Sequence, residues 1–437
     1  MYGSDRASQQ PGRDPRARPP GPGPAGRPAA NAARIHPSAA FPARRPTGAR
    51  HGAPGPDARS MTTAPPSPGK RLAFTAIMLA IPLAAVLAAI AAFAWQATAP
   101  YVDLDMRIVG DHDIAFDPVA GFVRPPHATT RRVHKRIDYT IHTDRLGARV
   151  DEPGVETPAR VAILTVGCSF SEGHGMANAD TYTSVLGRSL GVPVANFAVG
   201  SYSGVQAALA LERHRDLRPR VVVYGLIEDH LRRNLDPCAR SFFPNCLRVP
   251  TIVGLDGGEP SFTRVEAADL AGVQLTADLL ELPRHPSLWN RSWLGLRTAW
   301  HEYRDWREAS VREAQARIND ANALAGELYV VRRMAAQARA LDATLVVLHM
   351  GRLDGLPATD RTRGWRPLPD GFVEALPADV VFVDATGPVA RHYARSAKPL
   401  YLTRSDDHPN ARAHGLFAKL LEREIVARGL LAPKQES

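Results

Sequence analysis

Short runs of apolar, largely β-branched residues recur along the C-terminal two thirds of the chain. They are 161–166, 192–199, 220–227, 344–350 and 380–385. Continuous apolar runs of this length are typical of parallel strands that are buried on both faces. Stretches with helical periodicity separate or follow them, at 181–190, 205–216, 327–342 and 414–429. This alternation predicts an α/β fold of three layers, α/β/α, with a central parallel sheet.

A much longer apolar run precedes this region. The 24 residues from Leu72 to Trp95 carry no charge, and a helix of about 20 residues crosses the hydrocarbon core of a bilayer. We therefore expect one transmembrane helix over 71–97. Lys70 and Arg71 come directly before the run, and acidic residues follow it, so the positive-inside rule predicts a cytoplasmic N-terminus and an extracytoplasmic C-terminal domain. A single-pass protein of the inner membrane follows; the alternative is a cleaved signal peptide.

The first 70 residues differ in composition from the rest. They are rich in Pro, Gly, Ala and Arg and nearly lack large apolar side chains, so we expect a disordered tail. Residues 1–71 hold twelve basic and three acidic residues, whereas the remainder is close to neutral. The basic pI therefore belongs to the tail, and no nucleic-acid partner is predicted for the folded part. Met61 is an alternative start immediately before the membrane segment.

The segments between the anchor and the end of the chain divide further. Residues 98–160 are interpreted as a linker with short strands, and 161–430 as one catalytic domain. An insertion at 235–326 interrupts the strand–helix alternation. Insertions beside an active face form lids or substrate walls, and an ordinary surface elaboration is the alternative.

Three cysteines are present. Cys238 and Cys246 bracket a short segment, and outside the cytoplasm a disulfide between them is expected, with two unpaired thiols as the alternative. Cys168 lies beside a candidate nucleophile. No Cys/His cluster has the spacing of a zinc site, so neither a metal nor a cofactor is predicted.

Two short motifs carry candidate chemistry. The first, GCSFSEG at 167–173, directly follows the first strand of the domain. Ser169 would stand on a tight strand-to-helix turn at the carboxyl end of that strand, although a serine in this position is often only a helix cap. Ser171 competes with it and is better suited to capping.

The second motif is SDDHPNARAHG at 405–415, in a loop before the last helix. A serine nucleophile needs an imidazole base, and the base needs a carboxylate that fixes its tautomer. His408 is the predicted base and Asp406 its partner, because side chains two residues apart in an extended loop leave on the same side. Asp407 and His414 are the competitors, and Asn410 is a predicted N-cap.

Together the motifs resemble those of the SGNH/GDSL hydrolase family. The Gly-x-Ser turn is matched by Gly167-Cys168-Ser169, the glycine after the second strand by Gly200, and the C-terminal Asp/His block by the DDHPN run. The resemblance covers about residues 161–429. It implies a flavodoxin-like sheet, a Ser169–His408–Asp406 triad, and an oxyanion hole that includes the N–H groups of Ser169 and Gly200.

Two blocks depart from the family pattern. The family's aspartate usually precedes the histidine by three residues, where this chain has Ser405. The block that normally supplies an oxyanion-binding asparagine reads GLIEDHLRRN at 225–234. Glu228 and Asp229 cannot donate when ionised, so His230 is the expected substitute, with Arg233 and Asn234 as further candidates.

These features predict a membrane-anchored serine esterase that removes acyl groups, acetyl in the first instance, from an extracytoplasmic glycan or lipid. The alternatives are an O-acyltransferase that acts on a cell-surface polysaccharide with the same triad, and a glycan-binding module that has kept the fold without catalysis.

Overall fold

The structure of the protein is a computed structural model. It describes residues 67–103, 106–134, 137–239, 246–255, 257–266, 270–282, 287–351, 368–396, 399–403 and 406–432. The chain divides into two units, Met1–Ser67 and Pro68–Ser437, and the sheets and helices belong to the second. Residues 1–66 of the tail predicted to be disordered, and Ser405, lie outside the described residues, whereas Pro68–Lys70 already belong to the first helix of the chain.

A five-stranded parallel sheet forms the centre of the domain. In spatial order its strands are β15 (Val381–Asp384), β14 (Thr344–His349), β9 (Val221–Leu226), β7 (Ile163–Gly167) and β8 (Val194–Asn196). Each of the five predicted strands is present, and the predicted fold class is confirmed. Continuous apolar runs are required here because both faces of the sheet are covered.

The helices pack on both faces of this sheet. They are α2 (Ser169–Glu172), α3 (Tyr182–Leu190), α4 (Gly204–Arg213), α5 (Asp229–Arg233), α9 (Asp320–Ala340), α10 (Thr386–Ser396) and α11 (Ala411–Ala427). Alternate strand residues enter two separate cores: Val221 and Val223 pack with Phe417 of α11, whereas Val222 and Tyr224 pack with Met334 of α9. The result is the predicted three-layer arrangement.

Local sequence sets where these helices begin. The Thr181 side chain accepts from the N–H of Ser184 and caps α3, and Ser203 forms a capping box with Gln206 at the start of α4. Asn410 caps α11 as predicted, because its side chain accepts from the N–H groups of Arg412 and Ala413.

The segment interpreted as a linker forms more structure than expected. Its strands are β1 (Met106–Gly110), β2 (Ala115–Asp117), β3 (Gly121–Val123), β4 (Thr129–His134), β5 (Ile137–Thr143) and β6 (Arg149–Val150). An antiparallel sheet forms in the order β1-β4-β5-β6, and β2 pairs with β3. This sheet packs its buried side against the turn that holds Ser169, as described below.

The described residues of the insertion form short strand pairs and three helices that precede the start of α9. These are β10 (Cys238–Ala239), β11 (Leu247–Arg248), β12 (Ile252–Val253), β13 (Ser261–Phe262), α6 (Leu270–Glu281), α7 (Leu288–Arg307) and α8 (Ala309–Ala316). A disulfide joins Cys238 to Cys246, and Cys168 is a free, buried thiol. The last strand pair of the chain is β16 (Tyr401–Thr403) with β17 (Asp406–Pro409).

The predicted membrane segment lies within one helix, α1 (Pro68–Asp103). Its first 32 residues, Pro68–Ala99, are long and apolar enough to cross a membrane, with a mean hydropathy of 2.6 in the most apolar window and no burial there. Large apolar side chains such as Phe74 and Val86 are exposed along this helix. The end of α1 packs against α7, and Ala94 is fully buried in that contact.

Candidate active site

Ser169 is the first residue of α2 and follows β7 by one residue. Gly167 makes this turn possible, because its φ is +150° and a Cβ there would lie 2.7 Å from Ser171 Oγ and 2.9 Å from the Gly225 carbonyl oxygen. Gly173 ends α2 in the left-handed region with φ +84°. The turn therefore holds Ser169 at the carboxyl end of a central strand, where ligands bind in sheets of this kind.

His408 reaches the same place from the other end of the chain. It lies in β17, two residues before the N-cap of α11, and β17 pairs with β16. The amide of Asn410 donates to the carbonyls of Pro399 and Tyr401, which fixes the loop from behind. Ser169 and His408 are thus 239 residues apart in the chain and adjacent in space.

A continuous set of hydrogen-bonding distances joins Ser169, His408 and Asp406. His408 Nε2 lies 2.8 Å from Ser169 Oγ, and His408 Nδ1 lies 2.6 Å from Asp406 Oδ1. Asp406 Oδ1 also accepts from the backbone N–H of His408 at 3.1 Å. All three residues are buried. The carboxylate therefore holds Nδ1 protonated and leaves Nε2 free to accept from the serine.

A second histidine, absent from the sequence predictions, faces the same carboxylate. His174 Nε2 lies 3.7 Å from Asp406 Oδ2, and the His174 and His408 rings are 4.3 Å apart. Burial on its own would raise the pKa of Asp406, but the two histidines lower it far below its usual range. Burial and then the charge of His408 lower the pKa of His174 to about 4, so His174 is neutral at pH 7.

The tautomer of His174 follows from its other partner. Tyr139 Oη lies 2.8 Å from His174 Nδ1, and it also accepts from Arg132 Nη1 at 2.9 Å. Since that hydroxyl has one proton to give, it donates to Nδ1, which leaves the N–H of His174 at Nε2, facing Asp406. Asp406 is therefore approached by an N–H from each of two imidazoles.

Buried ion pairs stabilise the turn that holds Ser169. Arg124 pairs with both Asp113 and Glu172, and Arg132 also pairs with Asp113. Burial raises the pKa of Asp113, but the two guanidinium groups outweigh it and bring the value to about 2. Arg149 donates to the Gly173 carbonyl at 2.8 Å. The antiparallel sheet and its neighbouring loops therefore fix the residues that immediately follow the serine.

The competing residues occupy structural positions. Ser171 Oγ accepts from the Tyr182 hydroxyl at 2.9 Å inside α2. His414 lies within α11, where its Nδ1 accepts from the N–H of Tyr182 at 3.0 Å. Asp407 is buried in β17, next to His408 in the chain.

The predicted oxyanion donors lie in different surroundings. His230 is fully buried, stacks on Tyr224 and pairs through Nδ1 with its hydroxyl at 2.8 Å. Asn234 accepts from the N–H of Val205 and donates to Glu327. The guanidinium of Arg233 lies beside the Cys168 thiol and pairs with Asp229. Of the three, Arg233 is the one that contacts the residue next to Ser169.

Three of the site residues could in principle hold a cation. Ligand atoms of His174, Asp406 and His408 lie within 4.8 Å of one another, and all three residues are buried. A metal there would compete with Ser169 or Asp406 for the nitrogens of His408, since both already have a partner. A triad and a metal site are therefore mutually exclusive uses of His408.

Another histidine, His349, lies between two carboxylates at the same edge of the sheet. His349 ends β14, and its Nδ1 and Nε2 are each 3.1 Å from a carboxylate oxygen, of Asp384 and Glu228 respectively. Burial on its own would lower the pKa of His349, but these two carboxylates raise it to about 9. The charged imidazole joins the ends of β9, β14 and β15. Glu228 of the altered block therefore has this structural partner.

Comparison with known proteins gives likenesses of fold only. No family model matches the chain, and neither does any curated protein. Among solved structures it is similar to a lipolytic protein of the G-D-S-L family from Desulfitobacterium hafniense, with 9% identity over 61% of this chain and 99% of the other, at a TM-score of 0.29.

The chain is also similar to two structures of carbohydrate esterases. One is a carbohydrate esterase family 2 enzyme with a carbohydrate-binding domain from Corynascus thermopiles, with 13% identity over 73% and 88% of the two chains and a TM-score of 0.31. The other is an acetyl xylan esterase from Butyrivibrio proteoclasticus, with 9% identity over 69% and 70% and a TM-score of 0.30. Similarity this low says nothing about the function of this chain.

Proposed function

We propose that this protein is a serine esterase of the SGNH type, anchored in the membrane by α1, which removes acyl groups from an extracytoplasmic glycan. The distances from Ser169 Oγ to His408 Nε2 and from His408 Nδ1 to Asp406 Oδ1, 2.8 Å and 2.6 Å, carry the proposal. A serine, an imidazole and a carboxylate in this order are the groups that acyl transfer through a covalent intermediate requires.

Each group has one task in the proposed reaction. His408 accepts the Ser169 proton while Oγ attacks the ester carbonyl, and Asp406 stabilises the imidazolium that forms. When the tetrahedral intermediate collapses, His408 gives its proton to the oxygen of the leaving alcohol, and the acyl group remains on Ser169. Water, deprotonated by the same imidazole, then attacks the acyl-enzyme. The second tetrahedral intermediate collapses with release of the carboxylic acid, and His408 returns the proton to Ser169 Oγ.

The oxyanion is proposed to bind to backbone N–H groups. Ser169 is the first residue of α2, and the N–H groups of a helix's first turn have no acceptor within the helix. The N–H of Gly200 is the second proposed donor, as the family resemblance implies. His230 stays a candidate third donor, although its Nδ1 is engaged by Tyr224. Loss of one such donor typically costs about 10²–10³ in rate.

A pocket lined by polar and apolar side chains, among them Ser201 next to Gly200 in the chain, is the proposed site for a hydroxylated substrate. Its volume is about 190 Å³, and Ser201, Asp229, Arg232 and Arg233 are among its lining residues. Ser201, next to Gly200, has φ +68°, and its buried Oγ has no hydrogen-bond partner among the described residues. A strained residue with an unused donor is typical of a binding site. A sugar hydroxyl would satisfy it.

The proposed membrane topology is supported by the charges that flank α1 and by the disulfide. Lys70 and Arg71 lie at the start of α1, on the side that the positive-inside rule places in the cytoplasm. The disulfide between Cys238 and Cys246 is in keeping with an oxidising compartment for the domain. An acetylated polymer outside the cytoplasm is the proposed substrate class.

A fluorophosphonate probe tests the mechanism directly. The full-length protein is expected to be labelled once and to release acetate from an aryl acetate, and Ser169→Ala should abolish both. Ser171→Ala, two residues along the same turn, is the matched control and should keep both. Labelling that survives Ser169→Ala would overturn the proposed nucleophile, and a protein that is never labelled would favour the non-catalytic alternative. Activity that a chelator removes would favour the metal-site interpretation of His174, Asp406 and His408.

A further inference from the structure

Helix α7 exposes an unusual number of tryptophans. Trp289, Trp293, Trp300 and Trp306 are each between 57% and 78% exposed, and Leu288, Leu296 and Tyr303 of the same helix are also exposed. Large apolar side chains on a soluble surface are common singly and rare as a continuous patch. Four exposed tryptophans on one 20-residue helix therefore call for a partner.

These side chains share one face of the helix. At about 100° per residue, Trp289, Trp293, Leu296, Trp300 and Tyr303 fall within an arc of roughly 80°, which Leu288 and Trp306 extend to roughly 140°. The opposite side of α7 is buried against the rest of the protein, through Arg291, Leu294, Gly295, Thr298, His301 and Asp305. The exposed arc, here named the aromatic face, is thus a continuous apolar stripe about 30 Å long.

Contacts on the buried side of α7 show that this helix lies beside the end of the apolar run in α1. A Cβ on Gly295 would be 2.5 Å from Cα of Ala94, so α7 and α1 meet at backbone distance. Arg291 lies over the ring of Trp95, with Cζ 3.2 Å from its centroid, and donates to the Trp95 carbonyl. Ala94 and Trp95 are the last residues of the uncharged run, where the hydrocarbon core would end.

We propose that the aromatic face of α7 lies in the interfacial layer of the membrane, beside the point where α1 leaves the bilayer. This proposal rests on the membrane anchor proposed above and goes beyond it, because it gives the domain a second, lateral contact with lipid. Tryptophan and tyrosine are the residues that accumulate at this depth. Helices with an apolar aromatic face and a charged opposite edge lie in the plane of the interface.

Charge at the edge of the face supports lipid over a second protein chain. Arg297 and Arg304 border the aromatic arc on one side, where they pair with Asp278 and Asp305, and Arg307 lies at the C-terminal end of the helix, next to Tyr303. Cationic side chains at this border suit the phosphate groups of lipids, while their stems cover apolar surface. The exposed apolar surface of α1 points to the same partner, since it extends to Trp95, the residue against which Arg291 of α7 packs.

Depth-dependent quenching in proteoliposomes tests this. The full-length protein, which has six tryptophans, is reduced to single-tryptophan variants by replacing the others with Phe. One variant keeps Trp293. The matched control carries Glu302→Trp. Position 302 is exposed and lies on α7 about 180° around the helix axis from Trp293. The anchor control carries Val86→Trp, in the middle of the apolar run of α1. Vesicles of phosphatidylcholine and phosphatidylglycerol carry brominated acyl chains, and aqueous iodide is the opposing quencher.

Trp293 is expected to be quenched about two-fold by the brominated lipid and protected from iodide, while the tryptophan at 302 shows the reverse. Equal iodide quenching at 293 and 302 would overturn the proposal. Protection of Trp293 from both quenchers would also overturn it, in favour of a covering protein surface. Absence of lipid quenching at position 86 would refute the membrane anchor, and the aromatic-face proposal with it. Lipid quenching at position 86 but not at position 293 would refute only the aromatic-face proposal and leave the anchor intact.

Discussion

At the scale of single residues, the arrangement around Asp406 distinguishes this site from a simple triad. One carboxylate faces two imidazoles, and the second of these, His174, is oriented by Tyr139 and through it by Arg132. Sequence reasoning found Ser169, His408 and Asp406 because each belongs to a short motif. It missed His174 although that residue lies only five positions after the serine, because a lone histidine in a turn gives no signal without its partner.

The choice between two adjacent carboxylates gives a first prediction. Asp406→Asn should lower kcat by about 10⁴, because the amide would favour the wrong tautomer of His408. Asp407→Asn should lower it far less, since Asp406 already lies 2.6 Å from Nδ1. Hydrolysis of an aryl acetate by both variants, at equal melting temperature, is the measurement. Equal losses, or a larger loss at Asp407, would contradict the assignment.

His174 is expected to act as a positioning residue. His174→Ala should reduce kcat by about ten-fold, roughly 1.4 kcal/mol, with KM nearly unchanged, because Asp406 would lose one of its two N–H partners. Tyr139→Phe should give a smaller loss in the same direction, since it removes only the group that orients the ring. Steady-state kinetics on the aryl acetate measure both.

The matched control for this prediction is His142→Ala. His142 lies on the same strand as Tyr139, but its Nδ1 pairs with Thr129, away from Asp406. It should leave kcat unchanged. If His174→Ala lowers the melting temperature but not kcat, its role is structural and the positioning role is wrong.

At the scale of elements, periodicity located the parallel strands and most of the helices that flank them, because buried strands and amphipathic helices carry the clearest patterns. It underestimated the segment before β7. Arg132, Tyr139 and Arg149 come from β4, β5 and β6, and each contacts the serine turn or its supporting residues. In the sequence these side chains cannot be distinguished from ordinary polar residues of short strands. Their role in supporting the serine turn becomes visible only from their contacts with Glu172, His174 and Gly173.

His349, at the ends of three central strands, leads to a prediction about how the stability of the fold depends on pH. The pKa of His349 is about 9 in the fold and near 6.5 when unfolded, so its charged form stabilises the fold. This contribution is complete below about pH 6.5 and is lost as the pH rises through about 9. The parent should therefore be more stable than His349→Gln by about 1–3 kcal/mol at pH 6, and the difference should vanish above pH 9.

Thermal unfolding in detergent across pH 6–10 measures this difference. His142→Gln serves as the reference, because His142 pairs with a threonine hydroxyl and not with two carboxylates. A stability difference between the parent and His349→Gln that stays constant over this range would show that His349 contributes through packing and not through its charge.

At the scale of the whole molecule, the connection between the long apolar helix and the domain is unusually short. α1 runs to Asp103 and β1 begins at Met106, and Gly295 of α7 lies directly against Ala94. A domain joined to its anchor by a long flexible linker could change its orientation and bind substrate far from the membrane. With the proposed anchor, this one keeps a fixed height and tilt, so its reach is set by its own dimensions. Encounters would then depend on diffusion in two dimensions, and polymers that are being made or exported at the bilayer would be met first.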